Sequence, residues 1–491
     1  MAQCKHYEIC GRDALEGTGE GLCILHSNNL EKDTKAFDEA LAEHRKEKGE
    51  DFTRFVFPGH ADFNEATFIG FPSFAHTRFI QEADFSNVKF NEGADFSYAK
   101  FTKFASFFGA TFTKRAYWSD VEFSEAAEFS GAKFFGPANF FNATFIRDAK
   151  FSRAEFARGA TFTLAKFNDW TFFEKTTFRE TAFFKDAEFV TRAHFFDANF
   201  LADASFTRAT FNKGADFSGT TFSTKVDFPW VEFLGRTLFL SREANGHPIP
   251  IFSGAVANFR QVAIAPLDAL AFRDADLQKC LFEGTDLRKV EFAGVKWTQI
   301  INKRWPKIIR KRWPTIVSRN GVYDEIRAEE KGETDKYPLI EQLYRQLKQN
   351  YEDRKDYERA GQFHYSEKEM RRRNPETSWG LRCWLTLYLL VSGYGERWLP
   401  PLLYAAGLLV VCAVLYLFLG LYPKNGGPTL VWTSAWDWLR SAFYSFRVIT
   451  LLRPDDLAPI GYAKLVHALE SLLGPLLLGL FALAIRQKLK R

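Results

Sequence analysis

The stretch Ala83-Asp84-Phe85-Ser86-Asn87-Val88-Lys89-Phe90 sets two phenylalanines five residues apart, each preceded at i−2 by a small residue. Outward from it the pattern runs from Phe63 to Phe239 without a slip, through 68, 74, 79, 85, 90, 96 and 101, the spacing alternating five and six. It defines 33 positions, of which 32 are Phe and one is Trp118. At i−2, 23 of the 33 hold Ala and the other ten hold Thr, Val or one Pro. An amphipathic helix needs a period of 3.6 and a half-buried strand a period of 2.0, so the run is neither. A fixed period sustained over so long a stretch marks a stacked array. Four faces of five and six residues in alternation close a coil every 22 residues, giving about eight coils and a rod of roughly 38 Å at ~4.8 Å per strand. The extra residue of each six-spacing is expected to bulge outward at alternate corners. The rings themselves are core: burying each is worth roughly 1.5–3 kcal/mol, and none is expected to act as a site.

A period near five, small at i−2 and bulky at i, resembles the pentapeptide-repeat family in a Phe-rich form with an 11-residue double unit. The resemblance implies a β-solenoid, a right-handed quadrilateral parallel β-helix, with the i residue stacked inside and the i−2 residue at the tight inner wall. A second stretch, Leu267, Phe272, Leu277, Phe282, Leu287, Phe292 and Trp297, runs strictly by fives and reads as one or two more coils. Between the two lies an interruption at 240–266 that contains Pro248, Pro250 and Pro266.

Composition bounds the rest. With 491 residues the chain is long enough for three or four domains. A net charge of +5 is too mild to point to nucleic acid, and no such partner is expected. Six cysteines exclude a disulfide-dense secreted scaffold. Residues 1–10 lack the apolar core of a cleaved signal peptide. No phosphate-cradling glycine loop, metalloprotease helix or nucleophile elbow occurs, so no catalytic residues and no enzyme activity are expected. The repeat region 61–240 is nearly neutral, with 20 basic against 22 acidic residues, which argues against an acidic DNA-mimicking rod.

The expected organisation is a Cys/His cap at 1–30, a helical linker at 31–55, with Phe37, Leu41 and His44 on one side, and the repeat β-helix at 56–297. A basic linker at 298–336, a helical hairpin at 337–373 and a membrane module at 374–491 follow. In the cap, Cys4, Cys10, Cys23 and His26 are spaced C-x5-C-x12-C-x2-H. This segment is too poor in apolar residues to fold alone. Four thiolate and imidazole ligands suit structural zinc, whose binding would supply the missing folding energy. His6 is an alternative ligand, and unmetallated thiols are the competing reading. Cys280, Cys383 and Cys412 read as small buried apolar residues.

In the basic linker, Lys303-Arg304-Trp305-Pro306 recurs as Lys311-Arg312-Trp313-Pro314. Lys303, Arg304, Trp305, Lys311, Arg312 and Trp313 are candidates for contact with anionic membrane lipid. A solvated linker whose Trp residues pack on the solenoid end explains them equally well. The hairpin, with Leu339, Leu343 and Leu347 and then Tyr357, Ala360, Phe363 and Met370 at helical spacing, resembles the tetratricopeptide-like hairpin of bacterial pentapeptide-repeat membrane proteins. So do Tyr388–Glu396 and the ending Leu476–Arg491.

Two stretches, at about 398–421 and 463–485, are long and apolar enough to span a bilayer. Between them 429–452 is amphipathic and reads as a re-entrant or interfacial helix, and Leu381–Val391 as a helix along the surface. Basic residues at Arg371–Arg373 and at the C-terminus place both ends on the cytoplasmic side of a cell inner membrane, with a multi-pass chain. Some members of the group just named carry a two-helix pore-loop module similar to potassium-type channels. That likeness implies a homo-oligomeric ion channel or sensor. Here, however, Ile449-Thr450-Leu451-Leu452-Arg453 stands where a Gly-Tyr-Gly filter would follow, and Gly393-Tyr394-Gly395 precedes the first span. Potassium selectivity is therefore not expected. Arg447, Thr450, Arg453 and Glu470 are the pore candidates, with His467 beside them; pairing of Glu470 and His467 with Lys464 or Arg447 is the alternative. Gly474-Pro475 is a kink that serves either gating or packing. The competing function is a non-conducting tethered scaffold whose solenoid binds a protein partner.

Overall fold

The computed structural model describes residues 2–16, 19–244, 247–252, 254–301, 318–452 and 456–489. Two compact units emerge: Met1–Gln299 with Val322–Arg327, and Ile300–Gly321 with Ala328–Arg491.

The first unit is a parallel β-solenoid. Its strands, mostly two residues long, stack into four ladders of 10, 8, 9 and 11 strands. Successive partners lie 22 residues apart, as in Phe112 against Phe134 and Ala116 against Ala138. All 33 ladder positions are buried, and the Ala residues at i−2 line the wall with them, Ala83, Ala94 and Ala105 being at most 1% exposed. Rings stack directly along the axis, Phe129 on Phe151 at 4.9 Å and 4°, and meet their neighbours within a coil edge-on, Phe140 on Phe151 at 5.5 Å and 89°. Both geometries are favoured by the ring quadrupole. The five-residue corners put a residue in the left-handed region, from Glu65 and His76 to Arg208 and Trp230. Few of these are Gly, so each L side chain costs about 1 kcal/mol, which the buried rings offset. At the six-residue corner Gly93 a Cβ would lie 2.0 Å from the Arg115 carbonyl oxygen of the next coil, so no larger residue fits.

The column is longer than the ladder suggests. Phe52 already stacks on Phe74 at 4.7 Å and Phe57 on Phe79 at 4.9 Å, so the first coil reaches into the expected linker at 31–55. The interruption at 240–266 is also shorter. Among the described residues, only the antiparallel hairpin Arg242–Ala244 with His247–Ile249 leaves the column. Phe252 returns to stack on Phe222 and Phe259 on Phe228, while Ile264 pairs with Phe233. The strict fives then build shorter coils, with Phe272 on Phe292 at 5.8 Å. Leu267, expected in the core, is exposed, because it follows the Pro266 corner and Leu270 takes the inward position. The longest ladder has 11 rungs, about 50 Å at ~4.8 Å each.

Both ends are capped. At the start, helix α1 (Thr34–Glu47), N-capped by Asp33, lays Phe37 on Phe57 at 5.2 Å and His44 on Phe55 at 5.0 Å. Ala40, with Phe37 and His44, completes the buried face where Leu41 was expected. At the far end, helix α2 (Tyr323–Lys331) lies within the expected basic linker. Its Asp324 carboxylate accepts from the Phe282 N–H at 2.9 Å and the Glu283 N–H at 3.1 Å, donors that a further strand would otherwise take. Burial pushes Asp324 up to about 6. Because the folded value lies above the unfolded one, the stability linked to its protonated form is present below about pH 4 and lost as pH rises through about 6. The melting midpoint is expected to fall over that window, and Asp324→Asn to flatten the fall; equal slopes in the two proteins would remove Asp324 as the cause.

The second unit is helical: α3 (Tyr337–Asp353), α4 (Tyr357–Arg373), α5 (Trp379–Ser392), α6 (Leu399–Leu419), α7 (Ala435–Ile449) and α8 (Ala463–Leu489). Helices α3 and α4 form the expected hairpin around Leu343, Leu347, Tyr351 and Phe363. The Gly393-Tyr394-Gly395 triplet is three consecutive left-handed residues that end α5. It inserts Tyr394 against Tyr365, and the phenol donates to Glu369 at 3.1 Å. Burial pushes Glu369 up, but hydrogen bonds and charge from Arg372 and Arg373 outweigh it and hold the carboxyl at about 2. The triplet is thus a clasp between α4 and α5.

Candidate functional site

In the cap, Cys4, Cys10, Cys23 and His26 are all buried, and their ligand atoms lie within 4.8 Å of one another. Cys10 ends a single helical turn, Tyr7–Cys10, and Cys23 and His26 share a tight turn closed by the Cys23 carbonyl and the His26 N–H. Cys10 Sγ is 3.7 Å from Cys23 Sγ; His26 Nδ1 is 3.2 Å from Cys23 Sγ and 3.6 Å from Cys4 Sγ. A tetrahedral ion with sulfur at ~2.3 Å and nitrogen at ~2.0 Å sets these separations at about 3.8 and 3.5 Å, so the residues fit one. The N–H groups of His6 and Cys23 donate to Cys4 Sγ, the contacts a thiolate accepts. His26 Nε2 lies 3.3 Å from the Thr53 carbonyl oxygen, which fixes the tautomer that leaves Nδ1 free as a ligand. His6 lies tilted against His26, ring centres 4.8 Å apart, outside the cluster. Between the bare thiols one hydrogen bond holds Cys10 down and pushes Cys23 up to about 11. The cluster can hold a metal ion, and with four protein donors it leaves no open position for catalysis. His26 also packs edge-on against Phe55 at 5.0 Å, so the centre is built directly onto the first coil.

In the helical unit, α6 (Leu399–Leu419) and α8 (Ala463–Arg486 of it) are long and apolar enough to cross a membrane. The antiparallel strands Leu421–Pro423 and Leu457–Pro459 pair Leu421 with Pro459, joining the end of α6 to the start of α8. Helix α7 then runs back between them. Ser441 donates to the Ala413 carbonyl at 2.7 Å and Ser445 to the Leu409 carbonyl at 3.2 Å, so α7 descends antiparallel to α6 to about its middle. At its end Ile449 meets Gly474, midway along α8, where an added Cβ would lie 2.8 Å from Ile449 Cα. Helix α7 thus packs on both helices of spanning length, which also pack directly on each other.

Glu470 is wholly buried in this bundle. It accepts from Tyr416 at 2.7 Å and from Ser445, and thus ties α6, α7 and α8 together. Tyr444 lies 3.1 Å from His467 Nδ1 and packs edge-on against Tyr416. The hydrogen bonds to Glu470 thus come from hydroxyls, rather than from the Lys464 or Arg447 cations of the alternative reading. Tyr416, Ser441, Tyr444 and Ser445 were not singled out in the sequence, although Ser441, Tyr444 and Ser445 share a face of α7. Thr450 bonds back to the Phe446 carbonyl at the deep end of α7, and Arg447 is 3.6 Å from Asp456. Arg453 lies outside the described residues, as do Lys303, Arg304, Trp305, Lys311, Arg312 and Trp313. Cys280 and Cys412 are buried as expected, but Cys383 is exposed, because it lies on a helix, α5, that also leaves Trp379, Trp384 and Leu387 uncovered. Gly474→Leu should drive α7 off α8 and cost about 1–3 kcal/mol, read as a lower melting midpoint in detergent, and an unchanged midpoint would show that the contact is loose.

Residues 52–100, 74–122 and 119–166 match the family model for pentapeptide repeats (9 copies). The solenoid is a pentapeptide-repeat domain. No curated protein and no solved structure matches the chain.

Proposed function

We propose that the protein is a membrane-anchored pentapeptide-repeat protein that assembles as a homo-oligomeric, channel-like complex, with the solenoid as its sensor or scaffold. The observation that carries this reading is the shorter, 15-residue helix α7, held against two helices of spanning length by Ser441, Ser445 and Glu470. Its other face leaves Trp436, Leu439, Phe443 and Phe446 exposed, which suits lipid or neighbouring subunits. Basic Arg371–Arg373 before the module and Arg486 after it favour cytoplasmic termini, in a cell inner membrane. The cap centre is best filled by structural zinc, for which thiolate and imidazole donors at these separations are well suited. It would supply folding energy and no chemistry.

A second reading, a non-conducting tethered scaffold, is favoured by the absence of a Gly-Tyr-Gly filter after α7 and by Glu470 being satisfied within one chain. Subunit counting by single-particle imaging in detergent, followed by bilayer recording, separates the two. A symmetric oligomer with ion flux supports the channel. A monomer, which cannot build a pore from two spans, or an oligomer that stays silent under voltage and tension, supports the scaffold.

A further inference from the structure

Some charges of the regular solenoid wall pair from coil to coil. Lys100 meets Glu122, Arg158 meets Glu180 and Arg208 meets Asp186, each 22 residues apart. At 240–259 the regular register itself is interrupted. Phe222 and Phe228 stack on Phe252 and Phe259, and the surplus residues leave as the hairpin Arg242–Ala244 with His247–Ile249. The hairpin strand and the wall enclose a cavity of about 660 Å³, within the range of small-molecule sites.

Two carboxylates lie in its floor. Asp197 and Asp274 are left-handed corner residues, and each leans over a bare glycine of the next coil. A Cβ on Gly219 would sit 2.3 Å from Asp197 Oδ1, and one on Gly294 2.0 Å from Asp274 Oδ1. Arg242 and Glu243 come from the hairpin and Lys296 from a later coil. Arg242 reaches Asp197 only at 3.9 Å. Among the described residues, no ion pair within 4 Å engages Asp274, Glu243 or Lys296. These three set charges of both signs in one cavity, complementary to a ligand that carries both signs itself. Phe196 and Leu240 add an apolar patch beside them.

We propose that this cavity binds a small zwitterion of the free amino-acid class, its ammonium on Asp274 and its carboxylate on Lys296, with the apolar patch receiving the side chain. The site belongs to the solenoid alone and stands whether or not the helical unit conducts.

The test uses the full-length protein in detergent and the twenty free L-amino acids, each followed by ligand-observed NMR. At least one should bind with a Kd of about 1 mM or tighter. Its N-acetyl and methyl-ester derivatives should each bind about tenfold or more weakly, as should Asp274→Asn and Lys296→Gln, while Asp186→Asn on the paired wall leaves binding unchanged. The derivatives probe the unaltered protein, so the result does not hang on the variants folding. Absence of binding by every amino acid, binding by a diamine or a dicarboxylate alone, or equal binding of the blocked derivatives would overturn the assignment.

Discussion

Cys23→Ser is expected to strip one metal ion from each chain and to release the cap from the column. Cys23 Sγ contacts both Cys10 Sγ and His26 Nδ1, so its loss removes a shared contact of the centre as well as one donor. The cap has few apolar residues of its own. Leu25 receives the Val56 N–H at 2.8 Å, His26 packs on Phe55, and Lys32 is buried over Phe37, donating to the Ile24 and Ser27 carbonyls. Each contact depends on the loop that the four ligands close. Structural zinc sites in small modules contribute on the order of 10 kcal/mol, far more than these contacts can replace. Metal analysis should therefore give one zinc in the native protein and none in the variant. Limited proteolysis should cut within residues 1–50 while the sheet signal in circular dichroism persists. Native protein that carries no metal, or a variant cap that resists protease as the native one does, would refute a structural zinc centre.

What could be read from the sequence follows from how locally each feature is encoded. The solenoid was legible because its core period is its sequence period: every buried ring declares itself by its distance from the last. The Cys/His centre was legible because metal chemistry restricts the ligand types. The hairpin at 337–373 and two helices long and apolar enough to cross a membrane were legible from apolar spacing and length. The extent of the interruption at 240–266 was not, because Phe252 and Phe259 keep the ladder's chemistry while an inserted hairpin destroys its spacing. Asp324 was invisible for another reason: its partners lie more than 40 residues away, and nothing in the local pattern marks a carboxylate that will replace a strand. Glu470 was noticed as an ionisable residue in an apolar helix, but its hydroxyl partners were not. They come from two other helices, and only α7's turn back between the spans brings Ser445 and Tyr416 to one carboxylate.

Phe151→Ala, midway along the column, is expected to cost about 3–5 kcal/mol, the usual loss for emptying a ring-sized volume from a packed core. Phe151 is wholly buried, stacks at 4.9 Å on Phe129 below and Phe173 above, and meets Phe140 and Phe162 edge-on at 5.5 and 5.4 Å. Four neighbours on fixed rungs cannot all close in, because backbone hydrogen bonds such as Phe151 N–H to the Phe172 carbonyl, 2.7 Å, hold the spacing between coils. The cavity therefore persists, whereas Phe151→Leu, which keeps most of the volume, should cost less than half as much. In a stack where each coil touches only its neighbours, the damage should also stay local. Amide exchange should accelerate in the coils containing Phe129, Phe151 and Phe173 and remain slow around Phe85 and Phe217. Uniform acceleration along the whole column would mean that the solenoid unfolds as one cooperative body, and that its coils do not contribute their stability rung by rung.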